Sequence, residues 1–122
     1  MEKILVINND LDTMNLLKDL LEKKEYKVSY TSNGKQSLQL AKEFAPDLVL
    51  VDMLQRNVVS DLRKNPDTAN VPIILMTGYN WYDKYDVNVD AVIEKPFFLE
   101  QLQQKIKTTI TRKQDAGHEN AM

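Results

Sequence analysis

The sequence predicts an α/β fold with a doubly wound, five-stranded parallel sheet. The first observation behind this prediction is a set of five short strand-like runs, most of them aliphatic. The second is the helical spacing of apolar residues in the segments between them. A strand of a parallel sheet is covered by helices on both faces, so it is typically a continuous apolar run. We place the strands at residues 3–7, 27–31, 48–51, 73–76 and 91–93.

Amphipathic segments between these runs predict the helices that cover the sheet. Each has apolar residues three or four positions apart, which gives a helix one apolar face. Pro46 ends the second of them, because the residue before a proline is pushed out of the α region. We place the helices at residues 11–24, 37–44, 58–64 and 99–112.

Two segments lie outside this alternation. Residues 80–88 have no regular period, and their aromatic side chains form either a partner-binding patch or a compact loop folded onto the domain. Those aromatic residues are Trp81, Tyr82 and Tyr85. Residues 113–122 are polar, and we predict a disordered tail there. The expected organisation is therefore one domain over residues 1–112, followed by that tail.

Composition excludes several classes of protein. The chain has 122 residues and a formal net charge of −2, which gives no electrostatic reason to expect nucleic acid or an anionic membrane as a partner. No apolar run is long enough to span a bilayer or to form a secretory leader, and the absence of cysteine is compatible with the cytoplasm. Because His118 is the only histidine, a Ser-His-Asp triad or a multi-histidine metal site cannot form within this chain.

Polar residues stand at the carboxyl ends of the predicted strands. Residues 8–10, with the sequence Asn-Asn-Asp, follow the first strand, and Asp52 follows the third. Thr77 and Lys95 follow the fourth and fifth strands. In open α/β sheets the carboxyl ends meet at one edge, and ligands bind there. We therefore expect a functional site that is built from carboxylate, hydroxyl, amide and ammonium groups.

Four local strings carry a resemblance to a known family. They are ILVI at 4–7, PDLVLVDM at 46–53, VPIILMTG at 71–78 and EKPF at 94–97. In this order and spacing the chain resembles the receiver domain of two-component response regulators, which has a flavodoxin-like fold. In that family the bond before the proline of the last string is commonly cis.

The resemblance implies a role for each polar residue at the strand ends. Asp52 matches the aspartate that accepts a phosphoryl group from a phosphohistidine. Thr77 matches the hydroxyl residue that moves toward that group, and Lys95 matches the lysine that pairs with it. Asn9, Asp52 and the backbone carbonyl of Leu54 match positions that ligate Mg²⁺. These residue types suit phosphoryl transfer, because a carboxylate is a nucleophile and the phosphoryl charge needs fixed cationic and hydrogen-bonding partners.

The chain departs from the family pattern after its first strand. The family carries an acidic pair there, and this chain has Asn8 and Asn9, which we interpret as turn and cap residues. Mg²⁺ gives up water reluctantly for neutral ligands, so we expect it to bind weakly. Without an acidic pair to compete for the ammonium, we expect Lys95 to form a direct ion pair with Asp52 in the absence of metal.

The leading prediction is a cytoplasmic receiver domain, a monomer or weak dimer. It accepts a phosphoryl group on Asp52 from a histidine kinase or phosphotransfer protein and signals to a downstream effector protein. One alternative is a degenerate receiver that binds partners without phosphorylation. Another is a flavodoxin-like binder of a small ligand, although none of the three glycines belongs to a phosphate-cradling loop. We expect no enzymatic turnover, because the chain offers no usable histidine, cysteine or substrate loop.

Overall fold

The computed structural model describes residues 1–78 and 87–120, so Trp81, Tyr82 and Tyr85 lie outside the described residues. The elements are β1 Lys3–Ile7, α1 Leu11–Lys23, β2 Lys27–Thr31, α2 Gly34–Phe44, β3 Leu48–Asp52, a 3-10 turn Met53–Gln55, α3 Asn57–Lys64, β4 Ile73–Thr77, β5 Ala91–Glu94 and α4 Leu99–Asn120. The five strands form one parallel sheet in the order β2-β1-β3-β4-β5. Within the described residues, no helix has the length and hydropathy needed to cross a membrane.

Helices cover both faces of this sheet, which confirms the doubly wound prediction. On one face, Val6 and Leu50 belong to a buried cluster completed by apolar residues of α1 and α4. On the other face, Leu5 and Val49 pack in a second cluster with α2 and α3. Each fully buried aliphatic side chain contributes about 1.5–3 kcal/mol by leaving water. The central strands are therefore held from both sides, and their carboxyl ends are fixed in position.

Short polar side chains cap the N-termini of the first two helices. The Asp10 carboxylate accepts a hydrogen bond from the Asp12 N–H at 3.2 Å, and the Asn33 side-chain oxygen accepts one from the Lys35 N–H at 2.8 Å. Both bonds satisfy backbone donors that have no partner within the helix. The second helix ends before Pro46, as predicted.

The last helix is longer than predicted. The backbone of α4 stays helical to Asn120, so the helix does not end near Arg112 and residues 113–120 are not an irregular tail. No proline interrupts this segment, and polar residues alone do not end a helix. The Lys113 ammonium nitrogen lies 3.0 Å from a carboxylate oxygen of Asp90, just before β5, and this contact ties the extended helix to the sheet.

Candidate functional site

The ends of the three strands β3, β4 and β5 bring the predicted residues to one edge of the sheet. Asp52 is the last residue of β3, Thr77 is the last residue of β4, and Lys95 directly follows β5. The register pairs Asp52 with Met76 and Thr77 with Glu94, so the three strands end at nearly the same level. This parallel register is the reason that residues distant in sequence meet here.

The Asp52 carboxylate is the centre of this edge. Its side chain is only 5% exposed, and one oxygen forms an ion pair with the Lys95 ammonium, whose side chain is 41% exposed. The other oxygen accepts a hydrogen bond from the Leu54 N–H at 3.0 Å, in the 3-10 turn. The predicted direct ion pair between Asp52 and Lys95 is therefore confirmed. The pair is half-buried, with the carboxylate inside and the ammonium reaching solvent.

Thr77 lies beside this pair, but its hydroxyl is bonded elsewhere. The hydroxyl donates to the Ile93 carbonyl at 3.4 Å, across to β5, and the residue is buried. The Thr77 carbonyl accepts a hydrogen bond from the Lys95 N–H at 2.8 Å. The Lys95–Pro96 bond is cis, as the resemblance implied. Thr77 thus helps to hold the Lys95 backbone, and its hydroxyl makes no hydrogen bond to Asp52.

Asn8 differs from the expectation of an ordinary turn residue. It directly follows β1 and is only 2% exposed. Its Oδ1 accepts a hydrogen bond from the Asp10 N–H at 3.0 Å, which fixes the orientation of the amide. Its Nδ2 is buried and has no acceptor among the described residues. Sequence reasoning missed this donor, although the position directly after a fully buried strand was the available signal.

Asp10 caps α1 and does not turn inward to the site. Besides the Asp12 N–H, it accepts a hydrogen bond from the Thr13 hydroxyl at 2.6 Å. This hydroxyl is the main cause that holds the pKa of Asp10 below its usual value, and the Lys95 ammonium adds a smaller effect in the same direction. The Asp10 carboxylate therefore stabilises the N-terminus of α1.

The residues at this edge are a poor match for a resident Mg²⁺ ion. The predicted ligands are Asn9, Asp52 and the Leu54 carbonyl. Asn9 is exposed and neutral, and the Leu54 carbonyl is also a neutral group. Both oxygens of Asp52 already have partners, the Lys95 ammonium and the Leu54 N–H. Among residues 1–78 and 87–120, no group of three or more His, Cys, Asp or Glu side chains could hold a metal ion. Mg²⁺ would have to compete with the Lys95 ammonium for the one carboxylate.

Comparison with known proteins agrees with this geometry. A family model described as the response regulator receiver domain matches residues 4–107. The chain belongs to this family. It is a receiver domain of the two-component response regulators, with their five-stranded parallel sheet. Receiver domains interact with histidine kinases and effectors. They generally bind Mg²⁺ at an acidic pocket, and in this receiver asparagines stand in place of some of its acidic residues.

Several relatives are regulators longer than this chain. The response regulator ArlR of Staphylococcus saprophyticus is 31% identical over 121 residues, which cover 92% of this chain and 54% of that protein. The DNA-binding dual master transcriptional regulator RpaA of Synechocystis sp. is 27% identical over 121 residues, covering 92% of this chain and 50% of that protein. The receiver therefore spans about half the length of the curated relatives it matches.

Solved structures give the same fold. The N-terminal domain of the nisin resistance regulator NsrR superimposes with a TM-score of 0.76 at 30% identity, over 90% of this chain and 98% of that one. A receiver domain protein of Clostridium thermocellum superimposes with a TM-score of 0.81 over 93% of this chain and 98% of that one. The second pair is 24% identical and shows the fold alone.

Proposed function

We propose that this receiver accepts a phosphoryl group on Asp52 from the phosphohistidine of a histidine kinase or phosphotransfer protein. The observation that carries this proposal is the buried Asp52 carboxylate at the end of β3, with the Lys95 ammonium against it. Ligands of open α/β sheets bind at the carboxyl ends of the strands, where Asp52 stands, and the Lys95 ammonium is placed to neutralise charge that arrives there.

The transfer conserves atoms and charge in a simple way. A carboxylate oxygen of Asp52 forms a bond to phosphorus while the bond from phosphorus to the imidazole nitrogen breaks. The imidazole nitrogen keeps the electron pair and takes up a proton. The transferred group carries a charge of about −1.5 to −2, which Lys95 partly balances. Thr77 would have to leave the Ile93 carbonyl to donate to the new oxygens, so its rotation is the conformational step that we assign to this chain.

A second candidate function is docking to partners without phosphorylation. Two observations favour it: Asn8 and Asn9 are neutral, and both oxygens of Asp52 are already bonded. In that case the Asp52–Lys95 pair would hold the domain in one conformation, and signalling would depend on the amount of partner present.

We further infer the setting in which the domain works. It acts in the cytoplasm as a monomer or weak dimer, with no enzymatic turnover of its own, and its output is contact with an effector protein. The net charge of −2 gives this domain no general attraction to nucleic acid or to an anionic membrane.

Intact-mass measurement tests the phosphoryl proposal. The protein is incubated with acetyl phosphate and Mg²⁺, and we expect a mass gain of one phosphoryl group. We expect no gain for Asp52→Asn, and a normal gain for Asp12→Asn, which removes an exposed carboxylate in the first turn of α1. A wild-type protein that gains no mass under these conditions would leave docking without phosphorylation as the function.

A further inference from the structure

The unpaired amide nitrogen of Asn8 needs a physical explanation. A buried donor without an acceptor destabilises a folded protein by about 1–3 kcal/mol, and such groups are rare. The amide cannot simply turn over, because its oxygen accepts the hydrogen bond from the Asp10 N–H at 3.0 Å. The Nδ2 group is therefore a donor fixed in place, and it has no acceptor among the described residues.

The strand register places this donor beside Asp52. Ile7 pairs with Val51, and both side chains belong to the same core cluster on one face of the sheet. Side chains alternate between faces along a strand, so Asn8 and Asp52, each one residue further on, turn to the opposite face together. They are neighbours at the ends of adjacent strands, and Asn8 is on the side of Asp52 away from β4.

The chemistry of this group suits an anion and excludes a cation. An amide NH₂ donates hydrogen bonds and has no lone pair to offer a metal ion. Asn8 and Asn9 also bring no charge to this edge, where the Asp52 carboxylate pairs with the Lys95 ammonium. When Asp52 carries a phosphoryl group, the new oxygens are acceptors at the end of β3, where the register makes Asn8 the neighbour of Asp52.

We propose that Asn8 is a phosphoryl-binding residue and that phosphorylation of Asp52 in this receiver proceeds without Mg²⁺. This inference rests on the proposed function. The Asn8 Nδ2 donates to a phosphoryl oxygen, and the Lys95 ammonium neutralises a second one. Together they replace the divalent ion, and the two asparagines remove the carboxylates that would repel the incoming group.

The test compares rates of phosphorylation in EDTA and in Mg²⁺. Acetyl phosphate is the donor, and intact mass is followed over time. We expect wild type to react at a similar rate, within about threefold, in both conditions. Asn8→Asp keeps the oxygen that accepts from the Asp10 N–H but removes the donor and adds a charge. We expect it to react in EDTA about tenfold to a hundredfold more slowly, the loss of one hydrogen bond to a charged oxygen.

Asn15→Asp is the matched control, since it makes the same change at an exposed asparagine of α1 that takes no part in the site. We expect it to react in EDTA at the wild-type rate, and amide NMR spectra should show that both variants keep the fold. Phosphorylation of wild type only with Mg²⁺ would overturn this inference and leave the proposed function standing. An Asn8→Asp protein that reacts in EDTA as fast as wild type would remove Asn8 from the site. A lack of phosphorylation in every condition would overturn the proposed function as well.

Discussion

Two clusters of charged residues lie at opposite ends of the sheet, and they are built differently. At the carboxyl ends, Asp52 makes one ion pair and one backbone hydrogen bond, with Lys95 and Leu54. At the amino ends of β4 and β5, Asp90 holds two cations, Arg63 at 2.9 Å and Lys113 at 3.0 Å. We call these the Asp52 group and the Asp90 group.

The Asp90 group leaves few of its polar atoms unused. All three guanidinium nitrogens of Arg63 donate, and three of these bonds reach backbone carbonyls at 2.6–3.0 Å. Those carbonyls belong to Ala69, Val71 and Asn88. Asp90 also accepts from the Ile73 N–H at 2.8 Å. The group joins α3, the loop before β4, the start of β5 and α4, so we interpret it as structural.

The Asp52 group has unused capacity by comparison. Among residues 1–78 and 87–120, the Lys95 ammonium has one hydrogen-bond partner, Asp52, and the Asn8 amide nitrogen has no acceptor. The Lys95 side chain also reaches solvent. A buried ion pair stabilises a fold only when further hydrogen bonds satisfy its atoms. The polar atoms of the Asp90 group are therefore mostly engaged within the fold, whereas the Asp52 group keeps donors available for a ligand.

The largest expected effect is on the Asp90 group. Arg63→Met should lower the free energy of unfolding by about 3–5 kcal/mol, because the Arg63 side chain is only 11% exposed and its removal leaves Asp90 and three carbonyls short of a donor. Urea unfolding at neutral pH measures this loss. Arg112→Met, an exposed change on α4, is the control, and we expect it to lose less than about 0.5 kcal/mol. Equal losses for the two variants would contradict our interpretation of Arg63.

Isosteric changes of the two aspartates should affect stability to different extents. Asp90→Asn should cost about 2 kcal/mol, because it removes the charge opposite two cations, one of them the buried Arg63. Asp52→Asn should change stability by less than about 1 kcal/mol. It keeps an acceptor for the Leu54 N–H, removes a buried charge and lets Lys95 turn to water. The two proteins are unfolded side by side in urea, and a larger loss for Asp52→Asn would reverse our assignment of structural and functional groups.

The contrast also explains what the sequence could predict. The meeting of Asp52 with Lys95 follows from two general facts, that parallel strands end at one edge and that few charges were available there. Asp90 and Arg63 are 27 residues apart, and each residue type is usually exposed. Their meeting depends on the path of the chain before β4 and β5, which no local pattern encodes.

Asn8 and α4 show a second limit of sequence reasoning. Asparagine after a strand is typical of turns, and only the tertiary position of Asn8 made its donor buried and unpaired. The end of α4 was predicted too early, because its apolar spacing fades near Arg112 while the backbone continues as a helix. The strands were predicted closely, because aliphatic runs are a strong signal for a sheet buried on both faces.

Lys113 tests whether the extended part of α4 belongs to the domain. We expect Lys113→Met to cost only about 0.5–1 kcal/mol, since the Lys113 side chain is one-third exposed and Asp90 keeps Arg63. Amide hydrogen exchange near residue 113 should become faster, while exchange in β4 stays unchanged. Lys107→Met, an exposed change earlier in α4, is the control. Unchanged exchange near residue 113 would show that the contact does not hold the helix end.

The smallest expected effect concerns the pH dependence of the α1 cap. The Thr13 hydroxyl holds the pKa of Asp10 below the ordinary value of 3.8, because it donates to the charged carboxylate. A carboxyl group whose folded pKa is depressed contributes stability that is fully present above the unfolded pKa. That contribution is lost as the pH falls from near 3.8 through the lower folded pKa.

Thr13→Val removes the hydroxyl while keeping the size and branching of the side chain. We therefore expect the Asp10 carboxyl in this variant to titrate closer to pH 3.8, and the acid-side loss of stability assigned to the cap to shrink. Carbon-detected NMR of the Asp10 carboxyl, recorded from neutral pH into acid, measures its titration midpoint in wild type and in the variant. Thr111→Val, an exposed change in α4, is the matched control and should leave the midpoint in place. If the Asp10 midpoint does not rise in Thr13→Val, the hydroxyl is not the cause, and the backbone N–H groups of α1 must hold the charge instead.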